Sequence, residues 1–242
     1  PLKPRYVRCM KKLILTLIFI LLPTQAMAAR GAVSAADPRA AAAGQAMLRQ
    51  GGTAADAALA MMLALSVVEP QSSGIGGGGF FVYHDAASGQ PATIDGREKA
   101  PAATREDRFL QPNGQVMPFR EAFVGGHSVG VPGNISLAAK AHAKWGKLKW
   151  ATLFQPAIAL AENGYVVTPR LAGTIAQMAP LWGKMEATKA IYFQDGRPKA
   201  AGDVIRNPAL AQTLREIARK GPKAFYSGRI AREISHAVTH AP

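Results

Sequence analysis

Cysteine is almost absent from this chain. Its single copy is Cys9, so no disulfide forms within the 242 residues and no thiol nucleophile stands beyond residue 9. A chain of this length can hold one large domain that relies on its apolar core. Acidic residues are also scarce, 15 Asp and Glu against 29 Lys and Arg, for a formal charge of +14. Five of the bases (Lys3, Arg5, Arg8, Lys11 and Lys12) crowd the first 12 residues, which leaves +9 on the rest. Such a surplus suits nucleic acid, a membrane surface, an acidic small substrate, or an acidic complement on another chain. Aromatics are few, 7% of residues, and no arginine-rich run is interleaved with them, so nucleic acid is not the expected partner. Internal repeats, low-complexity tracts and coiled-coil heptads are lacking as well.

The N-terminus carries a targeting pattern. Lys11 and Lys12 precede an apolar run from Leu13 to Leu22, and Ala26-Met27-Ala28 offers small residues for cleavage. The run is about half the roughly 20 residues that span a bilayer, so it predicts a cleaved signal peptide over residues 1–28 and no stable membrane anchor. Residues 1–9 precede Met10, where translation can start. The remainder, residues 29–242, reads as a single domain of an exported protein, periplasmic or secreted.

Gly31 to Ser34 reads as a short strand. Pro38 to Arg49 is alanine-rich and helical, and stops at Gly51-Gly52. Thr53 then caps a second helix, with Asp56 in the capping-box position. That helix runs to about Val68 and is apolar nearly all round, which predicts burial. The second half reads as helices: Asn134 caps Ser136 to Trp145, and Ala151 to Glu162 ends at Asn163-Gly164. Thr168-Pro169 and Asn207-Pro208 each start another, and Ile230 to Val238 is amphipathic. Trp150, Phe154, Tyr165 and Tyr226 read as core. His127-Ser128 has no third partner to make it a hydrolase pair. His84 reads as a hairpin residue, and His142, His236 and His240 show no metal spacing.

The stretch from Pro70 to Pro101 organises the chain. Gly76 to Gly79 run into Phe80-Phe81-Val82-Tyr83, a predicted strand, where glycine admits close approach and unusual φ values. Asp85 to Gln90 supplies a turn, and Ala92 to Asp95 is the return strand of a hairpin. The glycines are not a phosphate loop, because no Lys-Ser/Thr and no helix follow. A dinucleotide fingerprint fails too, since the glycines precede the strand. Arg97 sits just past a strand end, where a guanidinium can face a carboxylate or pair internally with Asp95 or Glu98.

This stretch resembles the γ-glutamyltransferases (γ-glutamyltranspeptidases, glutathione hydrolases), N-terminal-nucleophile hydrolases that mature by self-cleavage. The resemblance rests on Gly51 to Ala58, Glu69 to Phe80 and Ile94 to Pro101, with Gly130-Val131-Pro132-Gly133 and Ala161-Glu162-Asn163-Gly164 further on. Gly96 is a departure, since many members carry an aromatic there. The resemblance implies an α+β fold, the four-layer αββα sandwich, of which this chain supplies an incomplete N-terminal part rich in helices. It implies transfer or hydrolysis of the γ-glutamyl group of glutathione and related amides, with no metal and no cofactor. Arg97 matches the arginine that grips the α-carboxylate of the γ-glutamyl group.

The family's nucleophile is a threonine freed by self-cleavage, whose motif is Thr-Thr-His followed by an aromatic. Nothing here matches it, because Thr239-His240 is followed by Ala241-Pro242. The expectation is therefore a large-subunit fragment with no catalytic residue of its own and no activity alone, whose partner is the small subunit of the same precursor. Two other classes share parts of the pattern: a related cephalosporin or glutaryl acylase, and a non-catalytic exported basic binding protein.

Overall fold

Helix starts written in the sequence set most of the architecture seen in the computed structural model, which describes residues 31–240. The predicted signal peptide lies outside those residues. Gly31 to Ser34, expected as a strand, is irregular, because no segment among the described residues pairs with it. Helix α1 (Pro38–Arg49) has proline in its first turn and the Asp37 carboxylate accepting from the Arg39 amide at 2.8 Å. Burial pushes the Asp37 carboxyl up, but hydrogen bonds and charge from Arg39 outweigh it and hold the group below its usual range.

Helix α2 (Ala54–Val68) begins with the full capping box: Thr53 Oγ1 accepts from the Asp56 amide, and Asp56 accepts from the Thr53 amide. The same carboxylate oxygen accepts from the amides of Lys147 and Leu148 at 2.9 and 3.3 Å. One capping residue thus pins a loop 91 residues away. Leu59, Ala60, Leu63, Ala64 and Val68 are fully buried, as the all-round apolar pattern requires.

Strands β1 (Gly79–His84) and β2 (Pro91–Gly96) form the expected antiparallel hairpin, with Gly79 opposite Gly96 and Phe81 opposite Ile94. A one-turn helix, α3 (Phe119–Phe123), interrupts an otherwise irregular segment. Then come α4 (Asn134–Trp145), α5 (Trp150–Asn163), β3 (Tyr165–Val166), α6 (Pro169–Trp182) and α7 (Glu186–Tyr192). β4 (Phe193–Gln194), β5 (Arg197–Pro198) and β6 (Val204–Ile205) follow, then α8 (Pro208–Lys220), α9 (Lys223–Tyr226) and α10 (Arg229–Thr239). Thr168 caps α6 and Asn207 caps α8, as read from the sequence. β3 pairs with β6 and β4 with β5, two further antiparallel ribbons among the described residues.

Helix α2 packs against α1, α4 and α5, and α5 packs against α8. Phe154, Leu153, Leu171, Ile175, Leu214 and Ile217 are fully buried between these helices. Phe154 and Tyr165 are core as expected, and Trp150 is half-buried against Phe154. Tyr226 is different. It is 38% exposed, and its hydroxyl accepts from the Ser136 amide while donating to the Pro132 carbonyl. Its task is to tie α9 to the start of α4.

The hairpin is set on the helices by its inner face. Trp145, at the end of α4, stacks on Tyr83 and Phe81 with centroids 4.5 and 5.7 Å apart. The Trp145 carbonyl in turn accepts from Thr53 Oγ1 at 2.7 Å. The α2 cap therefore supports α4, and α4 supports the strands that lead to Arg97.

Candidate substrate-binding cleft

The glycines ahead of β1 act through space, not through backbone torsion. Left-handed φ occurs at Gly51, Gly89 and other turn glycines, but nowhere in Gly76 to Gly79. A Cβ on Gly78 would lie 2.6 Å from the Gly96 carbonyl oxygen and 2.7 Å from the Glu98 amide. One on Gly133 would overlap that same Gly96 carbonyl. Three chain segments converge there at a separation only glycine permits. Gly96, buried, faces Leu137 so closely that an added Cβ would stand 2.5 Å from the Leu137 Cβ. An aromatic side chain at this position would require α4 to move.

Asn134 holds the loop from the other side. It was expected to cap the helix from Ser136 to Trp145, but the cap position is Gly133, and no side chain caps this helix. Instead the Asn134 side chain donates to the Gly74 carbonyl at 2.6 Å, and the amides of Gly133 and Asn134 both donate to the Gly77 carbonyl. The partner lies 60 residues away in sequence. Asn134 is therefore a positioning residue for the glycine loop.

Arg97 follows β2 directly. The Asp95 carboxylate accepts from the Arg97 backbone amide at 2.8 Å, so Asp95 fixes the main chain and leaves the guanidinium alone. Glu98 approaches Arg97 Nε at 3.4 Å, and the Arg97 side chain remains 71% exposed. Neither terminal nitrogen of Arg97 makes a hydrogen bond among the described residues. Of the two internal partners the sequence offers, one touches only the backbone and the other makes a single contact.

The guanidinium opens into a cleft of about 510 Å³, lined by Gly76, Lys99, Thr104, Arg108 and His127 among others. That volume falls in the range of small-molecule sites. Lys99, at the cleft's wall, and Val131 exchange both backbone hydrogen bonds. Ser128 donates to the Phe123 carbonyl, not to His127, so the two adjacent residues make no dyad. Thr239 likewise spends its hydroxyl inside α10, on the Ser235 carbonyl at 2.9 Å. His84 is exposed at its strand end, and the His142 ring meets the Leu148 carbonyl at 2.8 Å. No group of three His, Cys, Asp or Glu able to hold a metal occurs among the described residues. No helix among them is long and apolar enough to cross a membrane.

The family model described as Gamma-glutamyltranspeptidase matches residues 40–241. The chain belongs to the γ-glutamyltranspeptidase family. It is 39% identical over 208 residues to a glutathione hydrolase proenzyme of Bacillus subtilis, a match covering 86% of this chain and 35% of that relative. The crystal structure of Helicobacter pylori γ-glutamyltranspeptidase superposes with a TM-score of 0.83 at 36% identity, covering 87% of this chain and 60% of that one. A cephalosporin acylase from Bacillus halodurans is similar too, with a TM-score of 0.70 at 31% identity over 82% of this chain and 37% of that one. The fold is accordingly that of the N-terminal-nucleophile hydrolases, of which this chain forms a helix-rich part. It spans about 35% of the length of the glutathione hydrolases it matches.

Arg108 and Thr104 escaped the sequence reading. They lie in the Pro- and Arg-rich connection that composition marks only as irregular, and no periodicity points to them. The one available signal was Gly130 to Gly133, whose match to the family brings the far end of that connection back to Lys99.

Proposed function

We propose that the protein containing this chain cleaves or transfers the γ-glutamyl group of glutathione and similar γ-glutamyl amides, with Arg97 holding the substrate's α-carboxylate. The exposed Arg97 guanidinium, aimed into the cleft with both terminal nitrogens unengaged among the described residues, is the observation that carries this reading. Its planar fork suits a carboxylate bidentately, which a lysine cannot reproduce.

In this scheme the nucleophile is a threonine outside these 242 residues, released by self-cleavage of a precursor. Its α-amine, with an ordinary pKa near 8, takes the hydroxyl proton as the hydroxyl attacks the γ-carbonyl. The amide nitrogen leaves with a proton, and water or an amino acid then resolves the γ-glutamyl-enzyme. The word proenzyme in the relatives' names supports a two-subunit product. The outer face of the hairpin, where Phe80 and Val82 are 65% and 71% exposed, is the surface proposed to receive the small subunit. Residues 1–28 direct export, and residues 29–242 form the large-subunit portion.

The acylase likeness keeps one competing substrate class in view: a glutaryl amide, which keeps a carboxylate at the corresponding position and lacks only the α-amino group. Turnover of glutathione and of a glutaryl amide by the full-length protein separates the two classes, and a 4-aminobutanoyl amide, which keeps the amine but lacks the carboxylate, tests Arg97 through Arg97→Ala. We expect the substitution to lower kcat/KM for glutathione by about 2 kcal/mol or more, roughly thirtyfold, and to leave the 4-aminobutanoyl amide nearly unchanged. Equal losses on glutathione and on the 4-aminobutanoyl amide, or undiminished glutathione cleavage, would overturn the assignment. The 242-residue chain alone is expected to show no turnover.

A further inference from the structure

The cleft beside Arg97 holds more positive charge than one α-carboxylate requires. Arg97, Lys99 and Arg108 line it against a single acid, Glu98, which already lies near Arg97. Arg108 is held in an unusual way. Its Nε donates to the His127 carbonyl at 2.6 Å and its Nη2 to the Gly126 carbonyl at 3.2 Å, and it enters no ion pair among the described residues. Carbonyls orient the guanidinium without neutralising it, so it is fixed in place with its full charge available. Lys99 is exposed and forms no side-chain hydrogen bond or ion pair among the described residues. An independent observation marks the same wall: Thr104 Oγ1 is buried and has no partner among the described residues. A buried hydroxyl without a partner is costly unless something fills the role.

From this geometry we infer that Arg108, with Lys99 and Thr104, forms a second anion subsite for γ-glutamyl donors that carry an additional carboxylate. Arg97 takes the α-carboxylate, and Arg108 offers its outer edge to the extra one, with Lys99 adding charge and Thr104 a hydroxyl. The cleft, about 510 Å³, has room for more than an amino-acid head group. The protein would therefore prefer acidic γ-glutamyl donors over neutral ones. This inference rests on the γ-glutamyl reading above.

Two donors that differ by one carboxylate test it: γ-glutamyl-4-nitroanilide and γ-glutamyl-3-carboxy-4-nitroanilide, turned over by the full-length protein. Arg108→Gln is expected to lower kcat/KM for the carboxylated donor about tenfold, the size of a lost charge-assisted hydrogen bond, and that for the plain donor at most twofold. Because Arg108 also braces two loop carbonyls, Lys99→Gln serves as a second variant whose side chain supports no backbone. It should lower the ratio of the two donors about two- to threefold. Equal losses on both donors, or none, would overturn the subsite while leaving the γ-glutamyl reading intact. Should the wild type cleave neither donor, the γ-glutamyl reading falls, and calorimetric titration of glutarate into the full-length protein decides the subsite separately. Glutarate binding that weakens about tenfold in Arg108→Gln would retain it, whereas absent or unchanged binding would sink it.

Discussion

The helical core and the glycine hairpin are stabilised in opposite ways. Around Leu63 and Phe154 the chain excludes water, and both side chains are fully buried within one apolar cluster drawn mostly from helices. The hairpin has one finished face, where Trp145 stacks on Phe81 and Tyr83, and one bare face, where Phe80 and Val82 stand in solvent. Its position comes from close backbone approach at Gly78, Gly96 and Gly133 and from the Asn134 clamp, not from bulk burial. The core makes the domain stable; the hairpin makes a narrow region accurate. Substitutions in the first should change folding free energy, and those in the second should change geometry at Arg97.

The contrast is easiest to break in the core. Phe154→Ala should cost about 3–5 kcal/mol in urea unfolding, from lost burial and the cavity left behind. A loss under 1 kcal/mol would mean that the core is looser than its burial implies. Gly133→Ala comes next, at about 1–3 kcal/mol, because the Gly96 carbonyl cannot move aside as a flexible side chain would. Here the sharper readout is γ-glutamyl turnover in the full-length protein, which should fall by more than the stability change accounts for. Asn134→Ala removes one hydrogen bond to the glycine loop and should cost about 1 kcal/mol, again with a KM change larger than that of any comparably mild core variant.

The smallest effect belongs to the surface. Lys220 and then Arg229 hydrogen-bond Glu216 and hold its carboxyl down at about 2. A depressed carboxyl contributes stability that is complete above its ordinary pKa and fades as pH falls through the lowered one. The difference between wild type and Glu216→Gln should therefore shrink as pH drops from about 4.5 to about 2, and salt should reduce it further. A difference that persists at pH 2 would contradict this assignment.

Local chemistry was legible in the sequence where it was complete within a few residues. Thr53 with Asp56, Thr168 with Pro169, and Asn207 with Pro208 each announce a helix start, and all three are in place. The hairpin was legible for the same reason, since its turn and both strands are contiguous. Asn134 was misread because its side chain serves Gly74, a partner no local pattern reveals. Gly31 to Ser34 has strand composition but no pairing partner among the described residues, and α7 and the two-residue ribbons are too short to show a period. Arg97 stood out by its motif. Arg108 and Thr104 did not, since only folding carries them to the same cleft.

The paired backbone bonds between Lys99 and Val131 have a wider consequence. They clip together the two ends of a long, mostly irregular excursion, residues 100–130. Lengthening or rewriting a clipped excursion costs little free energy, because closure entropy grows only slowly with length. The chain can thus vary the wall facing its ligand while the strands beneath keep their register, so selectivity and scaffold are free to change on separate schedules.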